Sequence, residues 1–188
     1  MNSIASHWWM LVARGLTSFA FAALLLLGPG WSSTGALAIA FGVYAMVDGA
    51  GSLSFVLAAH SGRAAAYVGR SVLGIAAGVF ALTHPSGSTL SLYLIVSTWG
   101  MGTGALELVF GSRTWSSIPK PLGFMLAGAV SFGFGLTLLH FPLESVATLR
   151  ALLVAYAVLN GITATAIGEG LRSSRGTSRH PPKGVEVG

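Results

Sequence analysis

Cysteine is absent from the chain, which excludes disulfides, thiolate metal sites and cysteine nucleophiles together. Charge is scarce as well. Only 8% of the 188 residues are Asp, Glu, Lys or Arg, against about a quarter in a soluble domain. There is no P-loop, no HExxH and no Gly-x-Ser-x-Gly elbow, the signatures of nucleotide binding, zinc hydrolysis and serine hydrolysis. No two histidines have the spacing of helical metal ligands. The expectation is a protein that is not an enzyme, with no catalytic residue, no cofactor and no metal.

What the chain has instead is apolar length. Hydrophobic residues make up 53% of it and the mean hydropathy is +0.76. Six apolar runs cover residues 8–27, 35–58, 67–82, 90–110, 122–139 and 146–167. A helix needs about 20 residues to cross a hydrocarbon core of about 30 Å, and the alanines at 64–66 extend the short third run. Leu, Ala, Gly and Val follow one another without the alternation of a barrel strand, which favours helices. Helices and closed barrels alone satisfy every backbone polar group in lipid. The fold class predicted is all-α integral membrane, with six transmembrane helices in one membrane domain over residues 1–171.

The runs also repeat. Pro29, Pro85 and Pro142 recur at a nearly constant interval, and a fixed period signals repeated units. Each proline is followed, about five helical turns on, by a polar residue and a glycine: Asp48-Gly49, Thr103-Gly104, Asn160-Gly161. One turn before each polar residue stands an aromatic one: Tyr44, Trp99 and Tyr156. The short turns at the prolines predict three antiparallel helical hairpins, about residues 8–58, 64–110 and 122–168. Glycines one turn apart, such as Gly74 with Gly78 and Gly100 with Gly104, let helices approach closely in a membrane. They predict packing within the chain or, alternatively, a homo-oligomer contact.

The few basic residues are distributed unevenly. Arg63, Arg113, Lys120, Arg172, Arg175, Arg179 and Lys183 lie in two alternate links and the tail, while residues 28–34, 83–89 and 140–145 hold no Lys or Arg. This positive-inside pattern puts both termini in the cytoplasm. It predicts a multi-pass protein of the bacterial cytoplasmic membrane, N-in and C-in. The sequence pI near 10.3 therefore reports topology, and no nucleic-acid partner is expected. The partners predicted are the lipid bilayer and anionic headgroups near the basic tail, residues 172–188, expected to be disordered. A cleaved signal peptide over the first thirty residues is the competing reading. It leaves unexplained why Arg14 stands at the same interval before Pro29 as Arg70 does before Pro85.

Four ionisable residues fall inside the spans: Arg14, Asp48, Arg70 and Glu107. Each costs about 2.5–3.5 kcal/mol at the bilayer centre, so such groups pair or line a polar path. A helical rise of about 1.5 Å per residue places Arg14 and Asp48 at similar depth. They are a candidate pair, with Arg70 and Glu107 the second. In the third unit Ala127 and Asn160 replace the charges, which fits a structural pair better than a threefold path. Arg150, near the outer end of the sixth run, is within reach of headgroups or of Glu144. His84 and His140 sit at the outer turns, where histidine gains charge in acid; they are candidate pH-responsive residues.

The first unit, with Trp8-Trp9, Arg14-Gly15, Pro29 and Asp48-Gly49, is similar to the repeat of the HdeD-type acid-resistance membrane proteins. The second keeps Arg70, Gly74, Gly78, Pro85, Trp99 and Gly104, with Thr103 in place of the acid. The resemblance covers about residues 8–168. It implies three short hairpin repeats in the bacterial cytoplasmic membrane and a part in surviving acid stress, and it carries over no catalytic or transport residue. Two readings follow. One is a non-enzymatic stress-resistance protein acting as a scaffold or membrane modifier. The other is a small channel or transporter for protons or a small solute.

Overall fold

A computed structural model describes residues 8–28, 30–58, 64–113, 121–140 and 145–177. Six helices account for nearly all of them: α1 Trp8–Leu27, α2 Thr34–Ala58, α3 Ala64–Thr83, α4 Thr89–Arg113, α5 Pro121–His140 and α6 Val146–Thr177. All six are long and apolar enough to cross a membrane, and the described residues include no strand. Arg63, Lys120, Arg179 and Lys183, four of the residues behind the topology reading, lie outside the described residues. So do Pro29, Pro142 and residues 178–188.

Three of the helices start in the same way. Ser33 Oγ accepts from the Ala36 amide at 3.2 Å and Ser88 Oγ from the Ser91 amide at 3.1 Å. Ser145 Oγ accepts from the Thr148 amide at 3.5 Å. Each serine takes up an amide that the first helical turn leaves unsatisfied. At the other end of α1, Arg150 reaches across from α6. Its Nε donates to Leu25 O at 2.7 Å, and a terminal nitrogen donates to Leu26 O at 3.2 Å. A cation on the last carbonyls of a helix satisfies them and opposes the dipole. Arg150 thus caps α1; Glu144, one of the partners its position in the chain suggests, lies outside the described residues.

The helices form a closed ring in chain order, with α6 packed against α1. The tight interfaces are α2 with α3, α4 with α5, and α6 with α1, while contacts inside each hairpin are looser. The hairpins expected from the turns are therefore bound to their neighbours more closely than to themselves. Glycine is the reason. A Cβ on Gly74 would lie 2.8 Å from Ala45 O and from the Gly49 Cα, and one on Gly128 2.8 Å from Gly104 O. One on Gly15 would lie 2.9 Å from Gly161 O. Backbones meet directly at all three interfaces, as small residues allow where lipid supplies no hydrophobic drive.

Helices α2, α4 and α6 are the inner ones. The spans in α2, α4 and α6 are 56, 50 and 44% buried, against 33, 28 and 33% in α1, α3 and α5. Large apolar side chains such as Leu16, Val72, Leu122 and Ile162 point outward and are more than half exposed, as lipid-facing residues are. Helix α6 continues to Thr177, past the end of the apolar run at Ile167 and into the stretch expected to be disordered. Arg172 stacks over the Trp8 ring at 5.0 Å and pairs with Glu169 at 3.6 Å, which gives that last segment a hold on α1.

A paired substitution tests the packing. Gly135→Ala sets a Cβ 2.6 Å from Ser97 O, whereas Gly133→Ala points one into open space. The first should lower stability by about 1–3 kcal/mol in a detergent melt, and the second should leave it unchanged or slightly raised. Equal melting of the two variants would refute direct backbone packing of α4 on α5.

Candidate functional site

The four intramembrane charges meet at one place. Arg14 Nε donates to Asp48 Oδ1 at 3.0 Å, and Arg70 donates from one terminal nitrogen to Asp48 Oδ2 at 2.7 Å. The other terminal nitrogen of Arg70 lies 2.6 Å from Glu107 Oε1, and a terminal nitrogen of Arg14 lies 2.8 Å from the same oxygen. Cations and anions alternate around a closed square of four contacts, with zero net charge. One residue comes from each of α1, α2, α3 and α4, so the square spans the hairpin pairs read from the sequence and the links between them.

The repeat explains how Glu107 arrives there. Thr103 holds the position that Asp48 holds in the first unit, and Glu107 stands one turn later. Thr103 Oγ1 instead donates back along its own helix to Trp99 O at 2.8 Å. The acid is displaced by one helical turn, about 5.4 Å, and its side chain is longer by one methylene.

The third unit contributes without a charge. Asn160 Oδ1 accepts from Arg14 at 3.2 Å, and its Nδ2 donates to Ser18 Oγ at 3.0 Å and to the Tyr44 hydroxyl at 3.2 Å. Ser18 Oγ and the Tyr44 hydroxyl are themselves 3.1 Å apart. Asn160, Ser18 and Tyr44 extend the square into a network that reaches α6, and Asn160 is only 2% exposed. Sequence reasoning took Asn160 as a lost acid and did not place Ser18 at all. The register offered the signal, since Ser18 precedes Pro29 by the same interval as Ser131 precedes Pro142.

The aromatic residues of the repeat stack on the inner helices beside this network. Trp99 contacts Tyr44 at 5.9 Å and Tyr156 at 5.7 Å between ring centroids, both edge-on. Phe41 also meets Trp99, and Phe21 and Phe134 stack on the two tyrosines. The Tyr156 hydroxyl is 3.3 Å from Ser131 Oγ, matching Tyr44 with Ser18. In the second unit the serine position is Gly74, and Trp99 Nε1 has no hydrogen-bond partner among the described residues. Trp99, Tyr44 and Tyr156 are all buried, so the centre of the ring is filled on this side of the charges.

The histidines lie elsewhere. His84 follows α3 by one residue and stands about 21 Å along the axis from Arg70, at about 1.5 Å of rise per residue. Its Nδ1 is 2.9 Å from Thr83 Oγ1, and its ring stacks on Phe80 at 4.7 Å. His140 is the last residue of α5. Both are exposed, and neither joins the charge network. Among the described residues no group of three His, Cys, Asp or Glu could hold a metal.

Residues 69–140 match the family described as a short repeat of unknown function (DUF308). The match runs from within α3 to the end of α5. No curated protein and no solved structure matches the chain.

The charge square makes a sharp prediction about stability. Removing Arg70 alone leaves two carboxylates facing one guanidinium, and an unpaired buried charge costs about 3–5 kcal/mol. Arg70→Leu should therefore destabilise more than Arg70→Leu combined with Asp48→Leu, which leaves Arg14 and Glu107 paired. A double variant that melts at the sum of the single losses would show that Arg70 and Asp48 do not interact.

Proposed function

We propose that this is a non-enzymatic multi-pass protein of the bacterial cytoplasmic membrane, N-in and C-in. Its role in this reading is acid and stress resistance, as a scaffold or modifier of the membrane and not a path through it. One observation carries this reading: the inner helices meet over Trp99, Tyr44 and Tyr156, and among the described residues the charge network does not continue past these rings. A conduit needs water or exchangeable polar groups along its length. Here most of the polar groups pair with one another, and the aromatic rings take up the centre.

The acid-resistance part rests on the likeness of Trp8-Trp9, Arg14-Gly15 and Asp48-Gly49 to the HdeD-type repeat. The match of residues 69–140 to a short-repeat family agrees with a repeated membrane protein. The orientation rests on the basic residues, which include Arg113 at the end of α4 and Arg172 near the end of α6. On this reading the bilayer is the main partner, with anionic headgroups along the basic end.

Two assays test the proposal together. Deleting the protein should lower survival after acid challenge, and the wild-type chain should restore it. Proteoliposomes carrying the wild-type chain should show no proton or solute flux above empty vesicles from mildly acidic to neutral pH. Flux that disappears in Asp48→Asn would replace the scaffold reading with a channel or transporter. Normal acid survival of the deletion strain would remove acid resistance from it.

A further inference from the structure

The helices of the ring are joined in two different ways. Within α2–α3, α4–α5 and α6–α1, backbone rests on backbone at two depths. A Cβ on Gly42 would lie 3.1 Å from Gly78 O, and one on Gly49 3.0 Å from Ser71 O. One on Gly135 would lie 2.6 Å from Ser97 O, and one on Gly128 2.8 Å from Gly104 O. In the third pair, a Cβ on Gly168 would lie 3.1 Å from Trp8 O and one on Gly15 2.9 Å from Gly161 O. The two depths in each pair are about 10 Å apart along the helix. Contact at both resists sliding and splaying together.

Across the hairpins the glycines meet side chains instead. A Cβ on Gly69 of α3 would face the Leu106 side chain of α4 at 3.1 Å, and one on Gly102 of α4 the Leu73 side chain of α3 at 2.8 Å. One on Gly123 of α5 would face the Ile167 side chain of α6 at 2.7 Å. A side chain can change rotamer and give way, whereas a helical backbone cannot.

The charge square ties together what the glycines leave loose. Arg14 on Asp48 joins α6–α1 to α2–α3. Arg70 on Glu107 joins α2–α3 to α4–α5, and Arg14 on Glu107 joins α6–α1 to α4–α5. Of the four contacts, Arg70 on Asp48 alone lies inside a pair. Any two of the three pairs thus share an ion contact. The chain also connects them covalently, by the turns that follow Leu27 and Thr83.

We propose that the ring is a latched device: three rigid two-helix bodies, α6–α1, α2–α3 and α4–α5, that turn about those connections and are held shut by the charge square. A hinge of this kind is a few residues between elements that absorb the change in backbone angle. The moving units are not the hairpins of the sequence, each of which is divided between two bodies. Opening separates the positive charge on α1 from the negative charge on α4, so the latch closes by charge, and apolar surroundings strengthen that attraction. The helix ends farthest from the two turns move most.

The chain has no cysteine, so single cysteines can be introduced for spin labels. Leu53, Val79, Val109 and Leu136 are exposed and serve as sites. Leu53 with Val79 lies within α2–α3, and Val109 with Leu136 within α4–α5. Val79 with Val109 lies within one hairpin but across two bodies. Pulsed electron spin resonance on the full chain in bilayers reads the three distances. Arg70→Gln with Glu107→Gln removes both ion contacts of α4–α5 and leaves Arg14 on Asp48 without excess charge. In that variant the Val79–Val109 distribution should lengthen or broaden by several ångströms, while the other two keep their wild-type widths. Equal change at all three in a variant that stays helical, or none at Val79–Val109, overturns the inference. A second arm leaves the square intact and does not depend on the variant folding. On heating in detergent, Val79–Val109 should broaden at a lower temperature than the other two, and simultaneous broadening overturns the inference as well. Neither arm reads acid survival or flux, so the device is tested apart from the proposed function.

Discussion

Charge buried in hydrocarbon has to be answered by opposite charge, and the positions of four helices follow from how this chain does it. Two guanidinium groups and two carboxylates alternate within 2.6–3.0 Å of one another, and the four side chains come from four successive helices. Sliding any of those helices along its neighbour by one turn, about 5.4 Å, would strand a charge. The square thus sets the depth of α1 to α4 more firmly than apolar packing can, since Leu against lipid and Leu against Leu differ little.

Around that constraint the chain solves a packing problem in two layers. The outer face carries Leu, Val and Ile for lipid, while the inner helices bring Tyr44, Trp99 and Tyr156 together at the centre. Glycine serves the interfaces between the layers, where the backbones of α2 and α3, α4 and α5, and α6 and α1 touch. The third unit has neither arginine nor acid, yet Asn160 joins the network as a neutral amide. It takes one hydrogen from Arg14 and gives its own to Ser18 and Tyr44. An amide can close such a network without adding a charge that would need a further partner.

The helices were legible in the sequence because apolar length is a local property. The run at residues 8–27 coincides with α1, and the alanines at 64–66 start α3. The depth argument that set Arg14 beside Asp48 needed only the helical rise, and those two side chains do touch, as do Arg70 and Glu107. What was not legible depends on which helix lies beside which. The contacts of Arg70 with Asp48 and of Arg14 with Glu107 cross between hairpins, and a linear register cannot say that α3 lies against α2 more closely than α4 does. The carbonyls that Arg150 meets were out of reach for the same reason, while Glu144, one of the partners expected for it, lies outside the described residues. Those carbonyls, Leu25 O and Leu26 O, belong to the far end of the chain. The helical stretch up to Thr177 was missed because apolar periodicity ends before it, and Arg172 on Trp8 is a tertiary contact.

The tight interface between α6 and α1 bears on how such a chain is made. A ribosome delivers the first helix to the membrane well before the sixth, so Gly15 faces lipid until Gly161 arrives. Arg14 can find Asp48, Arg70 and Glu107 as soon as α4 has entered the bilayer, but the two last carbonyls of α1 wait for Arg150. The unfinished protein is a four-helix arc with an open seam, held together by its charges. The final two helices act as a clasp, closing the seam between α4 and α1 that the first four leave open.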